Sequence, residues 1–242
     1  MVKGLVIAAF VLAWGGVAAE NIKVVSTVGV QVAVERLQGE FEKSSGHHLD
    51  IEFGSAATLK RQLDAGATFD VAILAPAMIE DLARQGRVVA GSTGAIARIP
   101  VAIAVKAGAP KPTIDSPEAL RGALLTARPA YTKQGQSSVA VVRLFEALGI
   151  AEQMKGRVFL DERPGGAGLA VEEGKADMAF ALMSEIVANP NLELVGPLPE
   201  GLQSNVMFAA GVAANGRVSE GSRAFVEALR RKLDEMGMAA DD

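Results

Sequence analysis

The feature that limits this fold most is a sustained alternation of apolar strand patterns and amphipathic helix patterns, running from Ile22 almost to the C-terminus. Residues 22–25 form an apolar strand. In 30–41, Val30, Val34, Leu37 and Phe41 recur at helical spacing. Residues 49–53 alternate faces as a strand, 59–65 form a helix stopped by Gly66, and 70–74 form a buried strand. Pro76 then stands where the first helical turn tolerates proline, and that helix runs to Gly86. The second half repeats the pattern. Ser116 caps a helix opened by Pro117, a helix over 139–148 ends at Gly149, a strand covers 176–181, and an amphipathic helix covers 219–233. Such alternation requires an α/β fold, with a mainly parallel sheet covered by helices on both faces.

Four runs of small residues sit at expected strand-to-helix junctions, two in each half: 26–29 (STVG), 54–58 (GSAAT), 135–138 (GQSS) and 165–168 (GGAG). A helix start exposes unpaired N–H groups and the positive end of the peptide dipoles, and small side chains let a ligand approach them. If the four starts face one another, they form a cleft for a small anion. A weak internal echo accompanies them: small residues, a helix, a glycine stop (Gly66, Gly174), an aspartate (Asp70, Asp177) and a buried strand follow in the same order in both halves.

The chain has 242 residues, half of them apolar, which is enough for a substantial core in one or two domains. A net charge of −4 gives no basic face for nucleic acid, and few aromatics leave no stacking platform. The first residues combine Lys3, an apolar run over 5–14 and the small residues Val17, Ala18 and Ala19, which is the pattern of a secretory signal peptide over 1–19. No cysteine is present, so disulfides, thiolate catalysis and cysteine-ligated metals are excluded. Two further strand patterns, 100–105 and 205–212, are expected to carry the chain between two lobes. Residues 20–100 and 208–242 then form lobe one, and 101–207 form an inserted lobe two, with the ligand cleft between them.

The stretch from Val34 to Lys43, then Gly46, then Phe53-Gly54-Ser55-Ala56-Ala57-Thr58-Leu59 through Asp70-Val71 resembles the periplasmic molybdate-binding proteins of ABC importers. The resemblance continues through 144–149, 174–177, 184–187 and the C-terminal helix, and so covers nearly all of the chain after the signal segment. It implies a two-lobed venus-flytrap fold of the type II periplasmic-binding-protein class and a periplasmic location. It also implies capture of a small anionic solute for a membrane permease, and a monomer without cofactor or direct membrane insertion. In that family, uncharged groups hold the oxyanion: serine hydroxyls and N–H groups of the first two helix starts, N–H groups from lobe two, and a tyrosine hydroxyl. Carried over by position, these hydroxyl donors fall on Gly29, Ala56 and Leu182, so a small carboxylate is as plausible a ligand here as molybdate.

The expected ligand-binding residues are therefore Thr27, Gly29, Ser55, Ala56, Ser137, Ser138 and Gly165 at the helix starts, with Arg98 as a cation able to pair a carboxylate. Lys133 and Arg163 border candidate loops, and Tyr131 is the single tyrosine. Ser184 and Glu185 either cap the helix that follows them or line the cleft, with capping the chief reading, and Asp70 and Asp177 are read as holders of loop N–H groups. No catalytic or metal-binding residue is assigned and no enzyme is expected. His47 and His48 are adjacent in a polar turn, both read as solvent-exposed, far in sequence from the serine loops. The alternatives are a sensor or effector-binding module of the same fold and, behind it, a secreted hydrolase.

Overall fold

The computed structural model describes residues 19–89, 91–133, 135, 137–163, 165–214 and 219–240. The expected signal segment (residues 1–18 of 1–19) lies outside the described residues, as do Gln136 of the third small-residue run and Pro164 beside the fourth. In chain order the elements are β1 (Asn21–Thr27), a 3-10 turn (Val28–Val30), α1 (Gln31–Ser45), β2 (His48–Gly54), α2 (Ala56–Asp64), β3 (Val71–Leu74), α3 (Pro76–Arg84) and β4 (Gly94–Lys106). Then come α4 (Pro117–Thr126), β5 (Pro129–Thr132), α5 (Ser138–Ala147), α6 (Ala151–Met154), β6 (Phe159–Asp161), α7 (Gly166–Glu172) and β7 (Met178–Leu182). The chain ends with α8 (Met183–Ala188), β8 (Leu192–Pro197), β9 (Asn205–Val212) and α9 (Glu220–Glu235).

Local chemistry accounts for the element boundaries. Ser55, Ser116 and Ser219 cap α2, α4 and α9, each hydroxyl accepting from the N–H three residues on at 3.2, 3.1 and 3.0 Å. Pro76 and Pro117 open α3 and α4, where the missing N–H costs no helical bond. The expected stops Gly66 and Gly174 adopt the left-handed conformation, φ 89° and 70°, which a side chain would resist.

The sheet order is β2-β1-β3-β9-β4-β7-β5-β6, with β8 also paired to β4. Two three-strand units are parallel: β1 between β2 and β3, and β5 between β6 and β7. Strands β4, β8 and β9 add antiparallel pairs. β4 is shared. Its first part, to Pro100, pairs with β9, and from Val101 it pairs with β7, then also β8.

Strand alternation sends Ile22 and Val24 of β1 and Val71 and Ile73 of β3 into the core under α1. Val25, Ala72 and Leu74 face the opposite cluster under α2 and α3. The helices after β1 and β2 therefore cover opposite faces of the first unit. The second unit repeats this, with α5 contributing Val141, Leu144 and Phe145 to one cluster and α7 contributing Ala167, Ala170 and Val171 to another. In each unit the chain leaves the central strand at a point where neighbouring connections diverge to opposite faces. Open α/β sheets place ligands at such carboxyl ends.

The two units also share a bracket. Asp70 Oδ2 accepts from Lys23 N at 2.8 Å while Asp70 N donates to Lys23 O. Asp177 Oδ2 accepts from Arg128 N at 2.7 Å while Asp177 N donates to Arg128 O. Each aspartate thus pins the start of an outer parallel strand to its central neighbour, the holding role expected of both.

One expectation is corrected here. His48 is exposed, 2.9 Å from Glu42, but His47 is buried. Its Nδ1 accepts from Glu20 N at 3.2 Å, and its ring stacks on Phe41 with centroids 6.2 Å apart. The turn at Gly46 folds the next residue back over the helix it has just ended, so adjacent histidines take opposite environments.

Candidate functional site

The carboxyl ends of both parallel units open on one cavity of about 210 Å³. That is smaller than the roughly 300–1,000 Å³ of sites for drug-sized ligands and holds several waters' volume. From the first unit its walls carry Thr27, Val28, Gly54, Ser55, Ala56 and Thr58; from the second, Thr132, Gly135, Ser137, Glu162, Gly165 and Glu185.

The two central strands end alike. Thr27 closes β1 in register with Gly54 at the end of β2, and Thr132 closes β5 in register with Asp161 at the end of β6. Their hydroxyls differ in occupation. Thr132 Oγ1 accepts from Ala167 N at 3.2 Å, at the start of α7. Thr27 is 2% exposed and its Oγ1 has no hydrogen-bond partner. A buried hydroxyl left unpaired costs about 1–3 kcal/mol, so Thr27 is a group awaiting a partner.

The helix starts supply the rest. Ser55 Oγ accepts from Thr58 N and lies 3.0 Å from Thr58 Oγ1, so the α2 cap and the cavity wall are one structure. Ser137 precedes α5, is 5% exposed and makes no capping bond with its side chain. Ser138 turns away, its hydroxyl donating to Gly135 O at 2.7 Å. Gly165 holds φ 66° at the start of α7.

No lysine, arginine or histidine lines the cavity among the described residues. The cations nearest in sequence are engaged elsewhere. Lys133 pairs with Glu162 at 2.9 Å. Arg163 is held by Asp161 at 2.6 Å and Glu173 at 2.9 Å. The hydrogen bonds from Arg163 draw the Asp161 carboxyl down to about 2. Glu185 is the exception in kind. It is partly buried, its carboxyl accepts from the Leu182 backbone at the start of α8, and removal from water pushes it up to about 7.

Of the residues expected to bind ligand, Thr27, Ser55, Ala56, Ser137 and Gly165 line one cavity. Gly29, Ser138 and Arg98 do not. A Cβ on Gly29 would lie 2.8 Å from Phe208 Cε1 and 2.9 Å from Leu182 Cδ1, so Gly29 is the place where the core passes beneath the site. Arg98 is exposed on the part of β4 paired with β9. Tyr131 packs against the core beside Phe180, outside the cavity lining. Thr132 was missed, and for Glu185 lining the cleft was the lesser of two readings. Thr132 carries a readable signal, since it ends a strand before a Gly/Ser run as Thr27 does. For Glu185 the sequence left capping and cleft lining both open: its place at the third position of a helix matches a cap, and the packing of α8 beside the Val28–Val30 turn brings it to the cavity.

The sequence model for bacterial extracellular solute-binding proteins matches residues 22–232. The chain belongs to that family. It is 24% identical over 219 residues to an aconitate isomerase of Pseudomonas sp, covering 88% of this chain and 83% of that protein. It is 25% identical over 230 residues to the molybdate-binding protein ModA of Escherichia coli (strain K12), covering 91% and 88%. Its fold matches the periplasmic molybdate-binding protein of Azotobacter vinelandii with a TM-score of 0.73 at 20% identity, covering 91% of this chain and all of that one. This solute-binding protein has the type II periplasmic-binding fold expected of it. Among the described residues no helix is long and apolar enough to cross a membrane.

Proposed function

We propose that this solute-binding protein captures a small anion, an oxyanion or a small carboxylate, in the cavity at the carboxyl ends of β1 and β5, and delivers it in the periplasm to the permease of an ABC importer. The observation that carries the reading is the unpaired Thr27 hydroxyl in a wall that offers Ser137 and two helix starts and, among the described residues, no cation. Donors already fixed by the fold need no reorganisation to meet an acceptor-rich ligand. Lobe one (20–100 and 208–242) and lobe two (101–207) would close over it about β4, which changes partners between Pro100 and Val101. Binding both lobes favours the closed state over the open one.

A thermal-shift panel of molybdate, tungstate, sulfate, phosphate and small di- and tricarboxylates tests this on the wild type and on Thr27→Val. Stabilisation that grows with the logarithm of anion concentration, and that Thr27→Val diminishes, supports capture at this cavity. No shift with any anion rejects it.

One observation favours a second reading. A carboxyl poised near neutrality beside a small cavity is an acid–base group in waiting, and a relative aligned over 88% of the chain is an aconitate isomerase. On that reading the ligand is an unsaturated tricarboxylate and Glu185 moves a proton on it. Following cis-aconitate with the protein by proton NMR decides the point: appearance of the trans isomer supports turnover, and its absence with binding intact leaves capture alone.

A further inference from the structure

Glu185 forms an acidic part of the cavity wall. The cavity that offers donors to an anion also holds a carboxyl with no cation beside it. The opening continues past Val28, Gly165 and Glu185 into a shallower depression of about 440 Å³ lined by Gln31, Glu35 and Asn189, again without a cation among the described residues. The charged groups around α8 come from several elements, among them α7, whose Glu172 carboxylate accepts from Asn189 at 2.6 Å and Asn191 at 3.2 Å. α1 presents Glu35, and the loop after β6 presents Glu162, itself paired with Lys133. On β8, Glu193 is taken by Lys111 and Gly108 N. On β4, Lys106 donates to Glu172 O, and Arg98 lies outside both linings. The Val28–Val30 turn and β7 carry no charge. An ionised Glu185 would therefore face an incoming anion at short range in a partly desolvated wall, with Glu35 adding repulsion.

Resting on the anion-capture reading above, we propose that Glu185 enters the complex as the neutral acid. Its proton then forms a hydrogen bond to the bound anion, so capture takes up one proton from solvent when the free protein carries Glu185 ionised. The proton stays on Glu185 and no covalent bond of the ligand changes. The geometry suits this role. The Leu182 N–H occupies one carboxyl oxygen, leaving the other to carry the proton. Burial already holds the free group near neutrality, so little added bias is needed. The donor replaces, from a different element, the hydroxyl missing at Leu182, and it selects ligands that present only acceptor oxygens.

The test is calorimetry of the whole protein with molybdate, sulfate and citrate, from neutral pH to about two units above it, in two buffers of different ionisation enthalpy. The expected result is an affinity that falls about tenfold per pH unit above neutrality, with close to one proton taken up on binding. Glu185→Gln, which keeps the shape and a donor N–H, should bind independently of pH and outbind wild type by tenfold or more at the alkaline end. Wild-type affinity flat across the range, or equal heats in both buffers at the alkaline end, overturns the role of Glu185 while leaving anion capture standing. Absence of binding by all three probes at every pH overturns the capture reading, and this inference with it. The wild-type proton count stands by itself if Glu185→Gln folds poorly.

Discussion

The Ser184 hydroxyl donates a 2.7 Å hydrogen bond to the Gly29 carbonyl, 155 residues away in the chain. Both residues are buried, and the bond ties α8 of the second unit to the turn that follows β1 in the first. It fixes the position of Glu185, the next residue, against the wall that carries Thr27. Ser184→Ala leaves the Gly29 carbonyl without this donor and should cost about 1–2 kcal/mol in a urea melt. Its apparent anion affinity should weaken as well, because Glu185 loses its tether.

Gly29 tolerates no side chain. A Cβ there meets Phe208 and Leu182, both fully packed and unable to yield. Gly29→Ala should destabilise by about 1–3 kcal/mol, measured by thermal or chemical unfolding. Gly29→Ser, which restores the hydroxyl of the molybdate-binding pattern, should fail for the same reason and give no gain in molybdate binding.

Thr27→Val separates stability from function. The substitution removes a buried hydroxyl that has no partner in the free protein, so unfolding should show unchanged or slightly higher stability. Anion affinity should drop about tenfold, the worth of one hydrogen bond to a charged group. Equal losses in both would assign Thr27 to the fold alone.

Glu185 makes stability depend on pH. Its folded pKa, pushed up to about 7, lies above the ordinary glutamate value of 4.5, so the folded state holds the proton more tightly. Free-protein stability therefore falls as pH rises from 4.5 to about 7 and levels off above. Glu185→Gln should remove that fall and be more stable than wild type at alkaline pH, by on the order of 3 kcal/mol, with the difference vanishing in acid. Urea melts of both proteins across this range check it.

Asp161 carries the opposite sign. Hydrogen bonds from Arg163 hold its carboxyl down to about 2, so its contribution is present above the usual 3.8 and is lost as pH falls toward 2. Arg163 is half exposed, so water screens part of the pair, and Asp161→Asn should cost about 1 kcal/mol at neutral pH and nothing in strong acid. The readout is the same melt. Thermal shift by anions should weaken too, because Asp161 packs against Gly166 at the start of α7.

Periodicity and punctuation alone determined the elements of this protein. Apolar spacing, serine caps, prolines at first turns and glycine stops act within a few residues, so they place Ser55, Ser116, Gly66 and Gly174 correctly without any knowledge of the fold. The echo between the halves was also legible, because Asp70 and Asp177 each serve a parallel strand pair that a short segment already implies. Tertiary structure decided what faces the cavity. Gly29 and Thr27 stand two residues apart at the same junction, yet one is sealed under Phe208 and the other left unpaired in the wall. Glu185 reads chiefly as a cap and lines the cavity as well. Adjacent residues diverge in direction, and burial, which sets the charge of a carboxyl and the worth of a hydroxyl, depends on elements more than a hundred residues away.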